Sequence, residues 1–176
     1  MGEAYGVTLL PLLSRHEAEE LLFIEARLLD DGLYEKWLDL FTEDGMYWIP
    51  SDESADPDEE TSIIYDNSRQ REKRVFQLRN KHLAQDPLSR TIHFISNVEV
   101  EETDSPEEVT VRCNVIVAEM RPGDHQELQK GIGDPRLLAC RCNYLFRQEG
   151  DIWRIAMKQA NLINRDLPLR NITFII

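Results

Sequence analysis

The sequence predicts an α+β fold, with helices first and a long antiparallel sheet after them. Three observations carry this expectation. A capped, amphipathic stretch runs from Ser14 to Gly32. Four runs of apolar–polar alternation lie between Thr91 and Ile163. Gln148-Glu149-Gly150-Asp151 reads as a hairpin turn between the last two of them. Helices gathered at one end of such a sheet pack on one of its faces. At 176 residues the chain suits one domain, read as an arm (1–13), a helical part with short strands (14–83) and a sheet (91–176).

Each element has its own signal. Ser14 as N-cap and Glu17 three residues on form a capping box. Ala18, Leu21, Leu22, Leu28 and Leu29 recur at helical spacing, and Gly32 ends the pattern. Glu25 falls inside that stripe, either paired with an arginine at the helix edge or buried beside a pocket. A second helix is predicted from Leu33 to Phe41, with Leu33, Trp37, Leu40 and Phe41 on one side. Glu43-Asp44-Gly45 then turns the chain into a short strand, Met46–Ile49, stopped by Pro50. Six carboxylates in the nine residues from Asp52 to Glu60 form an acidic loop without calcium-loop spacing. Ser62–Tyr65 reads as a strand and Ser68–Leu83 as a basic helix with Val75, Leu78 and Leu83 inward.

In the sheet, Ile92, Phe94, Val98 and Val100 are assigned to one face, opposite His93, Ile95 and Asn97. Val109, Val111, Cys113, Val115 and Val117 point inward, as do Leu138, Cys140, Cys142, Tyr144 and Phe146. Trp153, Ile155 and Met157 follow the same rule, against Arg154 and Lys158 outside. Asn171–Ile176 closes the reading as an apolar strand.

Charge excludes several roles. The net charge is −13, and residues 1–60 hold 17 acidic against 3 basic side chains. Such a chain repels phosphate backbones and anionic lipid, which argues against nucleic-acid and membrane-surface binding. No apolar run approaches the length of a bilayer span, and Met1-Gly2-Glu3-Ala4-Tyr5 lacks the basic start of a secretory signal. Three cysteines make no disulfide framework, so the expected location is the cytoplasm.

Catalytic motifs are largely missing: there is no GxGxxG, no P-loop and no GxSxG elbow. Cys140 and Cys142 share a strand face as small core residues, and no cysteine is followed within three positions by a histidine. A Rieske centre or a zinc clip is therefore not expected here, and no metal ligands are assigned. Of the four histidines, His16 and His125 read as solvated, while His82 and His93 are the only pair that could converge on an iron site.

Ordered blocks along the chain resemble the β (small) subunit of bacterial aromatic-ring-hydroxylating dioxygenases. They are Glu25-Ala26-Arg27-Leu28-Leu29-Asp30, Tyr34-Glu35-Lys36-Trp37-Leu38-Asp39-Leu40-Phe41 and Tyr47-Trp48-Ile49-Pro50. Ser89 to Val98 follows, then Arg141, Tyr144 and Arg147, Trp153-Arg154-Ile155 with Lys158, and Leu162 to Asp166. Ile24, where an aromatic is usual, and Lys81–Pro87 depart from the pattern. The resemblance implies the cone-shaped nuclear-transport-factor-like (cystatin-like) fold. It also implies a partner, an α subunit holding the Rieske [2Fe-2S] cluster and the mononuclear Fe(II), in an assembly of three α and three β chains. That complex cis-dihydroxylates an aromatic ring with O2 and NAD(P)H-derived electrons. This chain would then be a structural, non-redox subunit with no cofactor and no catalytic residue.

Two rival readings remain at this level. One is a stand-alone dehydratase or isomerase of the same superfamily, for which His93, Asp39 and Tyr34 are the candidate acid–base residues, with Tyr47 and His82 behind them. The other is a dimeric interaction module without an enzyme partner. The polar sheet face, with Arg112, Asn114, Arg141, Asn143, Arg147, Arg154 and Lys158, suggests contacts with acidic residues of a neighbouring chain.

Overall fold

In the computed structural model, residues 13–52, 61–80, 88–120, 135–166, 172 and 174–176 are described. His82, His125, residues 1–12 and the acidic run from 53 to 60 lie outside them. The order is α1 (Arg15–Asp30), α2 (Tyr34–Leu38), β1 (Phe41–Pro50), β2 (Ser62–Asp66), α3 (Ser68–Arg79), β3 (Arg90–Glu102), β4 (Glu108–Met120), β5 (Arg136–Glu149) and β6 (Ile152–Leu162). The six strands form one sheet ordered β2-β1-β6-β5-β4-β3, antiparallel throughout except for β1 beside β6. The α+β expectation holds, with the helices on one face.

Local chemistry sets the helix ends. Ser14 Oγ accepts the Glu17 N–H at 3.3 Å and the Glu17 carboxylate accepts the Ser14 N–H at 2.8 Å, closing the capping box. Gly32 follows α1 at φ +66°, a conformation an L side chain resists. Asn67 caps α3 through a second box with Gln70. Helix α2 is shorter than predicted: Phe41 already belongs to β1, which runs unbroken through Glu43-Asp44-Gly45. A register shift there brings Gly45 so close to β6 that a Cβ would lie 2.7 Å from the Ile155 carbonyl oxygen. The buried Arg71 of α3 locks this stretch, donating to the Gly45 carbonyl and stacking 4.1 Å over the Phe41 ring. Ile172 and Phe174–Ile176 form no strand, contrary to expectation, although Phe174, Ile175 and Ile176 are buried.

Two β-bulges change which side chains face the core. On β3, Ser96 and Glu99 pair with Asn114 and Arg112, so three steps answer two, and Asn97 takes φ +55°. Alternation is therefore reversed before the bulge. His93 and Ile95 point inward with Val98 and Val100, while Ile92 and Phe94, predicted to share the Val98 face, are 56% and 58% exposed. On β6, Met157 pairs with Leu145 but Ile155 pairs with Phe146, leaving Ala156 as the extra residue. Past it the faces exchange, and Lys158, predicted outside, is buried in the core.

Candidate functional site

The centre of the cone is polar and closed. Helix α1 turns Ala18, Leu22, Glu25 and Leu29 inward. The Glu25 carboxylate accepts the Trp37 indole N–H at 2.9 Å, the Tyr144 hydroxyl at 2.8 Å and the Lys158 ammonium at 2.8 Å. Its partner is thus a lysine on the inner face of β6, and the residue lies inside the core rather than at the helix edge. Lys158 stands on one rung with Tyr47 of β1 and Tyr144 of β5, its nitrogen 5.7 and 5.5 Å from their ring centres. Burial opposes the ammonium charge, yet the Glu25 carboxylate, together with Tyr47 and Cys142, holds Lys158 above its ordinary range. Burial and the same carboxylate push Tyr144 well up, and burial pushes Tyr47 up to about 12, so both phenols stay protonated. Tyr47 is a central core residue, its hydroxyl accepting the Ile176 N–H at 3.1 Å.

His93 lies beside this cluster. Its Nδ1 is 2.6 Å from Asp30 Oδ1, and Asp30 also accepts the His93 N–H and the Thr91 hydroxyl, each at 3.0 Å. The Nε2 atom is buried without a protein partner among the described residues. The His93 side chain lines a cavity of about 10 Å3 with Glu25, Tyr144, Lys158 and Ile176, space for roughly one water molecule. The other candidates do not join it. Asp39 is exposed beyond α2, its carbonyl accepting from Arg154. Tyr34 is half-buried under the Arg79 guanidinium, 5.1 Å from its ring centre. Sequence reasoning missed Asp30, Tyr144 and Lys158 as members of this site; Lys158 was hidden because nothing in the alternation marks the bulge at Ala156.

The Asp30 tie has a pH signature. Burial raises its carboxyl, but the hydrogen bonds from His93 and Thr91 outweigh that and leave it below the ordinary value. The unfolded chain then binds more protons near pH 4, so this contribution is full above that and lost as pH falls through the lower folded value. Asp30→Asn should cost about 1.5–3 kcal/mol at pH 7 and flatten the acid limb of stability. Urea midpoints at pH 7 and pH 3 check this; an equal loss at both would contradict it.

No group of three or more His, Cys, Asp or Glu side chains among the described residues is arranged to hold a metal ion. The thiols do not suit a cluster: Cys113 and Cys142 pair across β4 and β5, with Cys140 Sγ 3.5 Å from Cys142 Sγ, all in the core. Their shared hydrogen bonds and burial raise Cys113 and Cys140, which stay protonated. The outer arginines spend themselves within the chain: Arg147 on Asp44 and Glu108, Arg154 on Glu149, Arg112 on Glu101. No described helix is long and apolar enough to cross a membrane.

Residues 24–168 match the family described as ring hydroxylating beta subunit. The chain belongs to that family. It is 33% identical over 142 residues to the small oxygenase component of the p-cumate 2,3-dioxygenase system of Pseudomonas putida, covering 74% of this chain and 78% of the relative. It is 37% identical over 116 residues to the benzoate 1,2-dioxygenase β subunit of Acinetobacter baylyi, covering 62% and 68%. Among solved structures, the β subunit of benzoate 1,2-dioxygenase from Burkholderia mallei superposes with TM-score 0.70 at 27% identity, over 94% of this chain and all of that one. A protein described as scytalone dehydratase, from Novosphingobium aromaticivorans, shares the fold with TM-score 0.60 at 14% identity, over 82% and 80%. The cone-shaped, nuclear-transport-factor-like expectation therefore holds, as does that of a ring-hydroxylating dioxygenase β subunit.

Proposed function

We propose that this chain is the structural, non-redox β subunit of a cytoplasmic aromatic-ring-hydroxylating dioxygenase, supporting α subunits that carry the Rieske cluster and the mononuclear iron in a three-α, three-β assembly. Family membership over residues 24–168 carries this reading. The interior supports it: every oxygen of Glu25 is engaged by the chain's own donors. The space beside His93 is too small for an aromatic substrate.

The rival acid–base reading draws on one observation, the Asp30–His93 pair beside the cavity, with Nε2 unpartnered among the described residues. Against it stands the closed cone, with Ile176 seated on the same cavity and Asp39 outside it. The experiment is co-expression with an α chain bearing C-x-H and C-x-x-H motifs, followed by mass measurement and a dihydroxylation assay on an aromatic panel. The expected result is a mixed complex active only with both chains. An α chain that assembled and turned over at full rate alone would refute the structural role. Turnover of a dehydratase substrate by this chain alone, lost in His93→Ala, would favour the rival.

A further inference from the structure

At the closed centre of the cone, Nε2 of His93 is buried and unpartnered among the described residues, whereas Nδ1 is taken by Asp30. A polar atom left without a hydrogen bond in a core is costly, and native cores seldom keep one. The His93 side chain is 3% exposed, so bulk solvent does not serve it.

The cavity that His93 lines can. Its volume of about 10 Å3 suits one water molecule and nothing larger. Leu29, Ile95 and Val115 close it with apolar side chains, while Glu25, Tyr144 and Lys158 bring polar groups to the same space. Those groups have capacity left. Among the described residues the Lys158 ammonium spends one of its roughly three donor positions, on Glu25. The Glu25 carboxylate takes its hydrogen bonds from Trp37, Tyr144 and Lys158, and a carboxylate offers about four lone-pair sites. The Tyr144 hydroxyl donates to Glu25 and keeps its own oxygen for accepting. Surplus donors and surplus acceptors thus border the same space as one unsatisfied nitrogen. We propose that a single water molecule binds in this cavity, hydrogen-bonded to His93 Nε2 and to the Lys158–Glu25 pair. Water suits the position because it donates to a bare Nε2 and accepts from a protonated one. The bridge joins the Asp30–His93 tie to the Glu25–Lys158 centre, so that α1, β3, β5 and β6 share one hydrogen-bond network.

Diffraction from crystals of the full chain tests this directly, with one ordered water expected within about 3.2 Å of Nε2. A dry cavity would overturn the proposal, as would Nε2 bonded straight to a side chain. Urea unfolding gives a second reading that needs no crystal. Val115→Ile adds one methylene to the cavity wall. Filling a dry void should raise the midpoint by restoring contacts. Expelling a bonded water should lower it, because Nε2 is then left unsatisfied. Overpacking lowers the midpoint too, so the substitution is repeated in His93→Leu, where no ring nitrogen remains to be orphaned. Loss of the Asp30 tie is common to both members of that background and cancels. Val115→Ile is expected to lower the midpoint further in the wild-type chain than in His93→Leu. A midpoint that rises in the wild-type chain, or an equal drop in both, would refute the bound water. Should His93→Leu fail to fold, His93→Phe provides the background, and diffraction from the wild-type chain decides in either case.

Discussion

Lys158→Met should destabilise the protein by about 3–5 kcal/mol, a large share of the roughly 5–15 kcal/mol available to a domain. The loss comes from Glu25 rather than from the lysine. With the ammonium gone, a carboxylate remains in the core with only the Trp37 and Tyr144 donors, and its charge is uncompensated. The methionine stem fills similar volume, so cavity cost is small. Glu25→Gln combined with Lys158→Met should recover most of the loss, because a neutral amide keeps hydrogen bonds to Trp37 and Tyr144. Urea unfolding checks both variants, with the midpoint shifting and the slope unchanged. A single variant within about 1 kcal/mol of wild type would contradict this account of the pair.

This network shows where the sequence was legible. The inward turn of Glu25 follows from its place between Leu22 and Leu29, and the ends of α1 follow from Ser14, Glu17 and Gly32. All four long strands begin and end within one residue of their predicted limits, Thr91–Glu101, Val109–Met120, Leu137–Gln148 and Ile152–Ile163, since alternation and the Gly150 turn delimit them. What alternation cannot carry is one inserted residue. Ala156 is small enough to bury at 8% exposure beside Ile155, so the bulge adds no polar residue to the pattern. Asn97 tolerates the left-handed region, but asparagine is common at ordinary strand ends as well. Two single-residue insertions thus misplaced Lys158, His93, Ile92 and Phe94 together, which are the residues of the central network, the Asp30 tie and the exposed apolar positions of β3. The family resemblance indicated the fold and the partner without these registers, because it rests on residue identity rather than on facing.

Trp37→Ala is expected to cost about 3–5 kcal/mol from packing, with a further 1.5–3 kcal/mol from the hydrogen bond taken from Glu25. Trp37 is fully buried, meeting Phe41 edge-on at 5.0 Å and Tyr47 at 5.8 Å, so it joins the helical layer to β1 as well as to the charged centre. Trp37→Phe separates the contributions: it keeps most of the ring and should lose mainly the hydrogen bond. Coupling offers the sharper test. Trp37 and Lys158 both act on Glu25 Oε1, so Trp37→Phe and Lys158→Met share a partner and their losses should not add. The sign is predictable. Once Lys158 is absent, the carboxylate keeps only the Trp37 and Tyr144 donors, so each of them carries more of its buried charge. Trp37→Phe should therefore cost more in the Lys158→Met background than in the wild-type chain. Strict additivity in a double-mutant cycle would show that the indole and the ammonium do not meet through one carboxylate, and the central network would lose its physical basis.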